Sequence, residues 1–228
     1  MLKRIQHITR IASRLGQKKL FSLIGPLNKT IQPHQRYAIK KGYHHARSAT
    51  SFNDTSNTDQ WQKSVYELAA QYMHQENYHS VIDTGCGSAY KLVHLLGQYY
   101  TTGIEVEPTF SWLKQHYPQR NWLLFNTTNP ANLTADLVIC SDVIEHLQDP
   151  DKLLRFLSSI QFKKLLISTP ERNAVAGTND YGPPENTAHY REWNAAEFYQ
   201  YVSGFFKIEK QLVLDDRSVT QVVICSTA

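Results

Sequence analysis

The apolar positions of this chain change period along its length. At the start, Leu2, Ile5, Ile8, Ile11, Ala12 and Leu15 recur at helical spacing, while Lys3, Arg4, Arg10 and Arg14 fall largely on other faces. That pattern predicts a basic amphipathic helix. Residues 42–60 are polar and rich in Ser, Thr, Asn and Asp, a loop or linker composition. Trp61, Val65, Leu68 and Tyr72 then share one stripe of a helix that ends near Gln75. Beyond it, short apolar runs alternate with helical segments. Strands are predicted at 79–83, 102–106, 121–125, 136–141 and 164–168, and helices at 90–96 and 108–116. Another helix starts at Asp149-Pro150, with Asp149 as N-cap and proline in the first helical position. Asn194 caps a further helix, with Glu197 three residues on as its capping-box partner. Runs around 206–213 and 219–225 read as a closing antiparallel pair.

Strands alternating with helices define an α/β fold, with a parallel sheet covered on both faces. Ligands in such sheets bind at the carboxyl ends of the strands, near the point where strand order reverses. The 228 residues fit one α/β domain over 54–228 preceded by a basic helical extension over 1–53. No internal repeat stands out, and no apolar run approaches the roughly 18 residues that span a bilayer. Cys86, Cys140 and Cys225 are scattered and form neither a disulfide framework nor a zinc cluster, which points to a reducing, cytoplasmic compartment. Charge alters the picture of the extension. The net charge is +4, yet residues 1–53 hold eleven Lys or Arg and no acid, and the remainder is net −7. Three readings of the first helix stand side by side. It docks on the body or on a second subunit, it lies on an anionic membrane surface through residues 1–24, or it is a cleaved organellar targeting segment.

The chemistry centres on Val81-Ile82-Asp83-Thr84-Gly85-Cys86-Gly87-Ser88-Ala89, a hydrophobic strand running into a Gly-x-Gly turn and a helix. Glycines there let the backbone approach a ligand closely, and the helix start presents free N–H groups. Nucleotide cofactors of several kinds use such a turn. Glu105 ends the second strand twenty residues after Gly85, where a carboxylate can accept both hydroxyls of a ribose. Val106 beside it suits one face of an adenine, and Asp83 suits the cofactor's amino-acid end. Tyr90 holds the place of the last glycine of a dinucleotide fingerprint, which argues for a cofactor without phosphates.

The segments VIDTGCGSAYKL, GIEVEP, DLVICSDVIEHLQDP and LLISTPER, in that order, resemble the motifs of class I S-adenosylmethionine (SAM)-dependent methyltransferases. The resemblance covers about residues 61–226. It is closest to the bacterial group related to ubiquinone-pathway O-methyltransferases and to small-molecule and sugar methyltransferases. It implies a Rossmann-like, mostly parallel seven-stranded sheet with an antiparallel C-terminal strand. It also implies SAM contacts from Asp83, Gly85, Cys86 and Gly87, a ribose contact from Glu105 and an adenine neighbour in Val106. Asn126 stands where the family often has an adenine-contacting Asp, and Ser141 and Asp142 lie beside the methionine part.

Two segments are candidates for handling the acceptor. In some relatives a segment similar to Asp142-Val-Ile-Glu145-His146 holds a divalent metal, which makes Asp142, Glu145 and His146 candidate Mg²⁺ ligands. Alternatively His146 is a general base without metal, or the segment is structural. The long polar and aromatic stretch after the fifth strand supplies His189 as base or extra ligand and Arg191 as partner for an acidic substrate group. Trp193 and Tyr190 either stack on a ring or anchor the loop. The expected activity is O-methylation of a small-molecule or sugar-like acceptor. RNA methylation through the basic N-terminal segment and a catalytically inactive SAM-binding partner subunit are the alternatives.

Overall fold

The structure, a computed structural model, describes residues 36–50, 53–58, 61–214 and 219–227. The amphipathic segment 1–24, with its docking, membrane and targeting readings, lies outside the described residues. Seven strands form one sheet: β1 Ser80–Thr84, β2 Tyr100–Glu105, β3 Asn121–Leu124, β4 Thr134–Ser141, β5 Gln161–Pro170, β6 Lys207–Leu214 and β7 Thr220–Ser226. Their order is β3-β2-β1-β4-β5-β7-β6. The first five strands run parallel, and β7 runs antiparallel to both β5 and β6. This is the expected Rossmann-like sheet. From β1 the chain builds outward through β2 and β3, then returns to build β4 and β5 on the other side. The crevice therefore opens at the carboxyl ends of β1 and β4.

The helices are α1 Lys63–Gln75, α2 Tyr90–Leu95, α3 Thr109–His116, α4 Pro150–Ser158, α5 Arg172–Ala176 and α6 Ala195–Val202. The central strand β4 is buried on both faces, and its alternate residues feed two cores. Leu137 and Ile139 pack with Val65, Ala69 and Met73 of α1 and with Leu92 of α2. Val138 and Cys140 pack with Leu153, Leu154 and Leu157 of α4 and with Phe198 and Val202 of α6. Near-continuous apolar strands are what two-sided burial requires. The buried stripe of α1 is Val65, Tyr66, Ala69 and Met73, rotated from the predicted one, and Trp61 stays 47% exposed. The capping box of Asn194 and Glu197 forms. Asp149 sits at the N-cap of α4 without a side-chain cap hydrogen bond, so Pro150 marks that start.

The boundary drawn at residue 53 falls inside a segment that belongs to the body. Tyr37, Ile39 and Tyr43 are core residues. The indole N–H of Trp193 donates to the Tyr37 carbonyl (2.9 Å), and the Lys40 amide donates to Glu197 Oε1 (2.9 Å). The amides of Ala46 and Thr50 donate to the carbonyls of Tyr190 and Thr187, both at 2.9 Å. Few apolar residues in a basic, polar stretch had suggested an extension, but those few are the ones that pack. The three cysteines are buried and unpaired. Among the described residues no helix is long and apolar enough to cross a membrane.

Candidate active site

A cavity of about 680 Å³ opens at the carboxyl ends of the central strands. The turn after β1 forms its floor, with Gly85 at φ 75° and Gly87 at φ 54°, the left-handed region that favours glycine. A Cβ on Gly85 would overlap the Val143 side chain, and one on Gly87 would overlap the Asp54 carboxylate. The Gly85 amide donates to the Ile104 carbonyl (2.8 Å), which ties the turn to the end of β2. There Glu105 accepts from the amides of Gly87 (3.3 Å) and Val106 (2.7 Å). Burial raises its carboxyl above the usual range against the pull of those two amides, and Asp54 adds to the rise.

Of the residues expected at a cofactor site, Gly85, Glu105, Val106, Ser141 and Asp142 line the cavity. Asp83, Cys86, Gly87 and Asn126 are not among its lining residues. Asp83 lies behind the turn, fully buried, and accepts from the Tyr66 hydroxyl at 2.8 Å. Burial pushes its carboxyl up to about 7, with the Tyr66 bond opposing. The Cys86 thiol is buried towards Gly103 and Trp122. Phe125, one position before Asn126, lines the cavity instead, because β3 stops at Leu124 and a tight turn follows.

At the other end, Glu145, His146 and His189 come together, with a possible ligand atom of each within 4.8 Å of the others. Asp142 does not join them. Its backbone is left-handed (φ 52°), and its Oδ1 accepts from the Ser168 hydroxyl at 2.6 Å, while its Oδ2 accepts from Thr220 Oγ1 at 3.5 Å. The expected ligand trio thus exchanges Asp142 for His189. Glu145 is fully buried and accepts from Thr169 Oγ1 (3.0 Å), while its Oε1 has no partner. Burial and the neighbouring Asp142 carboxylate raise its carboxyl well above the usual range.

His146 Nδ1 lies 2.9 Å from the Ala188 carbonyl. A carbonyl only accepts, so Nδ1 carries the proton and Nε2 is the basic nitrogen. His189 Nδ1 donates to Glu192 Oε1 (2.6 Å), and its Nε2 faces the Asn186 amide nitrogen at 3.0 Å. The two imidazoles meet edge to face at 4.8 Å. Arg191 is placed otherwise than expected. Its guanidinium donates to the carbonyls of Leu147 (2.6 Å) and Gln148 (2.8 Å) and lies over the Tyr37 ring, outside the cavity lining. Satisfied and 3% exposed, it fastens the loop after β5 to the turn carrying His146. Trp193 is fully buried, stacked on Tyr201 at 5.6 Å, and anchors the same loop.

Asp54, Asn57 and Thr84 also line the cavity, and the sequence pattern had singled out none of them. Asp54 and Asn57 come from the polar stretch read as linker. Their reach over the turn is a tertiary contact with no local signature.

A family model described as a methyltransferase domain matches residues 43–206, and the chain belongs to that family. No curated protein matches the chain. Among solved structures, the chain is similar to the methyltransferase domain of bacterial CtHen1, at 19% identity and a TM-score of 0.52, covering 72% of this chain and 98% of that one. It is similar to the 16S rRNA methylase ArmA at 16% identity and a TM-score of 0.53, covering 75% and 85%. Magnesium protoporphyrin IX methyltransferase (ChlM) from Synechocystis, solved with bound SAM, is 15% identical with a TM-score of 0.53, covering 73% and 79%. At these identities the shared property is the class I methyltransferase fold.

Proposed function

We propose that the protein uses SAM to methylate a hydroxyl oxygen of a small-molecule or sugar-like acceptor. The observation that carries this reading is His146 at the cavity wall, its ring fixed through Nδ1 by the Ala188 carbonyl so that Nε2 is the basic nitrogen. The cavity's chemistry supports SAM as the cofactor. Glu105 offers a carboxylate at the end of β2, and Val106, Phe125 and Leu153 offer an apolar bed for a base. Around the glycine turn the buried, cavity-lining atoms Asp54 Oδ1, Asn57 Oδ1 and Thr84 Oγ1 lack partners. Acceptors left without donors suit an ammonium-bearing ligand. Among the described residues no Lys or Arg lines the cavity, while five carboxylates do: Asp54, Glu105, Glu107, Asp142 and Glu145. That balance disfavours phosphates, which weighs against a dinucleotide and against RNA at the site.

When bound, SAM supplies an electrophilic methyl group on a sulfonium. In this reading Glu105 holds the ribose hydroxyls, and the Gly85 turn leaves room for the chain that bears the sulfur. His146 Nε2 takes the proton of the acceptor hydroxyl, and the imidazolium formed keeps its hydrogen bond to Ala188. Tyr190, Asn186 and Thr50 line the same cavity. Alignment and one proton transfer suffice for an in-line displacement.

The test is release of S-adenosylhomocysteine with a panel of phenolic, glycosidic and other hydroxylated acceptors. His146→Ala should lower kcat about 10²- to 10⁴-fold and leave SAM affinity unchanged. Undiminished turnover would remove His146 from the chemistry, and SAM binding without turnover on any acceptor would favour the inactive-subunit reading.

A second reading has its own observation, the grouping of Glu145, His146 and His189 with Glu145 Oε1 unpartnered. One carboxylate and two imidazoles suit Mn²⁺ or a similar divalent ion better than Mg²⁺, which prefers oxygen ligands. Chelation followed by Mn²⁺ repletion separates the readings. Turnover lost and restored makes His146 a ligand, whereas indifference to chelator leaves it the base.

A further inference from the structure

Residues 53–58 lie across the glycine turn and are held there through residues 87–91. The Ser88 hydroxyl donates to the Asn57 carbonyl, and Lys91 Nζ donates to the Thr58 carbonyl at 2.9 Å. The Asp54 carboxylate occupies the space that a side chain on residue 87 would need. Two side chains of this strap, Asp54 and Asn57, face the cavity. Asn57 is only 8% exposed, yet its Oδ1 has no hydrogen-bond partner, and neither has the buried Asp54 Oδ1. Thr84 Oγ1, at the base of the turn and 1% exposed, is also unpartnered. Leaving such atoms buried and unsatisfied is costly, and an ammonium group carries three donors and no acceptor.

We propose that Asp54 receives the cationic amino group of the cofactor's methionine part, and that the cofactor thereby pins the 53–58 strap over the glycine turn. This rests on the reading of the cavity as a SAM site. Asp83 is the carboxylate that the turn's sequence suggests for that role, but it does not line the cavity and its Oδ2 is engaged by Tyr66. Asp54 enters from the cavity side, where a ligand can touch it. Burial holds Asp54, Asp83 and Glu105 above the usual carboxylate range, and Asp54 raises each of the other two. A bound cation relieves that repulsion. Because Ser88 and Lys91 hold the strap beside the turn, a ligand gripped by Asp54 and Asn57 fixes strap and turn to each other.

The experiment titrates SAM, S-adenosylhomocysteine and 5′-methylthioadenosine into the full chain and its Asp54→Asn variant. The third compound keeps the adenosine and the thioether but lacks the amino-acid part. Asp54→Asn should weaken the first two ligands about ten- to a hundredfold and leave the third unchanged. Asn57→Ala should act in the same direction by a few-fold. Limited proteolysis between residues 50 and 60 should be slowed by SAM and not by 5′-methylthioadenosine. Unchanged SAM affinity in Asp54→Asn overturns the proposal and leaves the cofactor reading standing. Equal weakening of all three ligands marks a packing change and overturns it too. Equal protection by SAM and 5′-methylthioadenosine overturns the strap's dependence on the amino group. Absence of SAM binding by the unaltered chain overturns both readings.

Discussion

Asp83 shows how much a single residue costs the fold when its charge is buried. Its carboxyl sits at about 7 in the folded chain, raised chiefly by burial, and near the ordinary 3.8 when unfolded. The unfolded chain therefore loses this proton first. The carboxyl's contribution to stability falls as pH rises from about 4 to about 7 and is level above that. Asp83→Asn keeps an acceptor for the Tyr66 hydroxyl and removes the charge. Without ligand it should melt several degrees above the parent at about pH 8 and close to it near pH 4, in thermal scans over that range. A midpoint difference that does not change with pH would contradict this account. The turn residues were readable in the sequence because their conformational demands are local: Gly85 and Gly87 have positive φ, and Glu105 ends a strand. Asp54 and the pairing of His189 with Glu192 were not readable, since each depends on how a polar loop lands on the body.

The strands were legible for a physical reason. A parallel sheet covered on both faces leaves β1, β4 and β5 with short apolar runs, and their length and flanking turn residues mark them as strands. Their ends were less legible, because edge residues of β4 and β5 are exposed and polar. One such edge residue clamps two strands. Asp136 on β4 accepts from the amides of His79 and Ser80 (2.8 and 3.1 Å) and from the Ser80 hydroxyl (3.1 Å), and it pairs with Lys163 at 2.8 Å. Burial pushes its carboxyl up, but the Lys163, His79 and Ser80 hydrogen bonds outweigh that and hold it well below the usual range. Such a depressed carboxyl stabilises the fold above the unfolded pKa near 4, and the benefit is lost as pH falls below it. Asp136→Asn should lower the melting midpoint by about 2–4 °C at neutral pH, with the gap closing below about pH 4. At the start of α6, Asn194→Ala removes the capping box and should cost about 1 kcal/mol in denaturant unfolding. A change under a few tenths would mean that the Trp193 packing alone fixes that helix.

For the molecule as a whole, the boundary between extension and domain carries both the clearest correction and the remaining question of charge. Tyr37, Ile39 and Tyr43 place the start of the body at or before residue 36, so a shortened chain that begins near Lys41 would lose core residues. One that begins at Arg36 keeps them. The segment removed, residues 1–35, holds seven Lys or Arg and no acid, against a net charge of −3 over residues 36–228. Two attractions compete for that segment, the acidic body and an anionic surface. Each basic residue near such a membrane contributes about 1 kcal/mol, and the regular apolar spacing over residues 2–15 adds insertion that the body's charge cannot match. The full chain should therefore co-sediment with phosphatidylserine-containing vesicles at low salt and release as ionic strength rises towards about 0.5 M, where the screening length is only a few ångströms. The chain from Arg36 should stay in the supernatant throughout. If neither sediments, and the shortened chain melts several degrees lower, the segment docks on the acidic body instead. In that case low salt should protect the full chain alone against thermal unfolding, because only there do the two opposite charges remain joined.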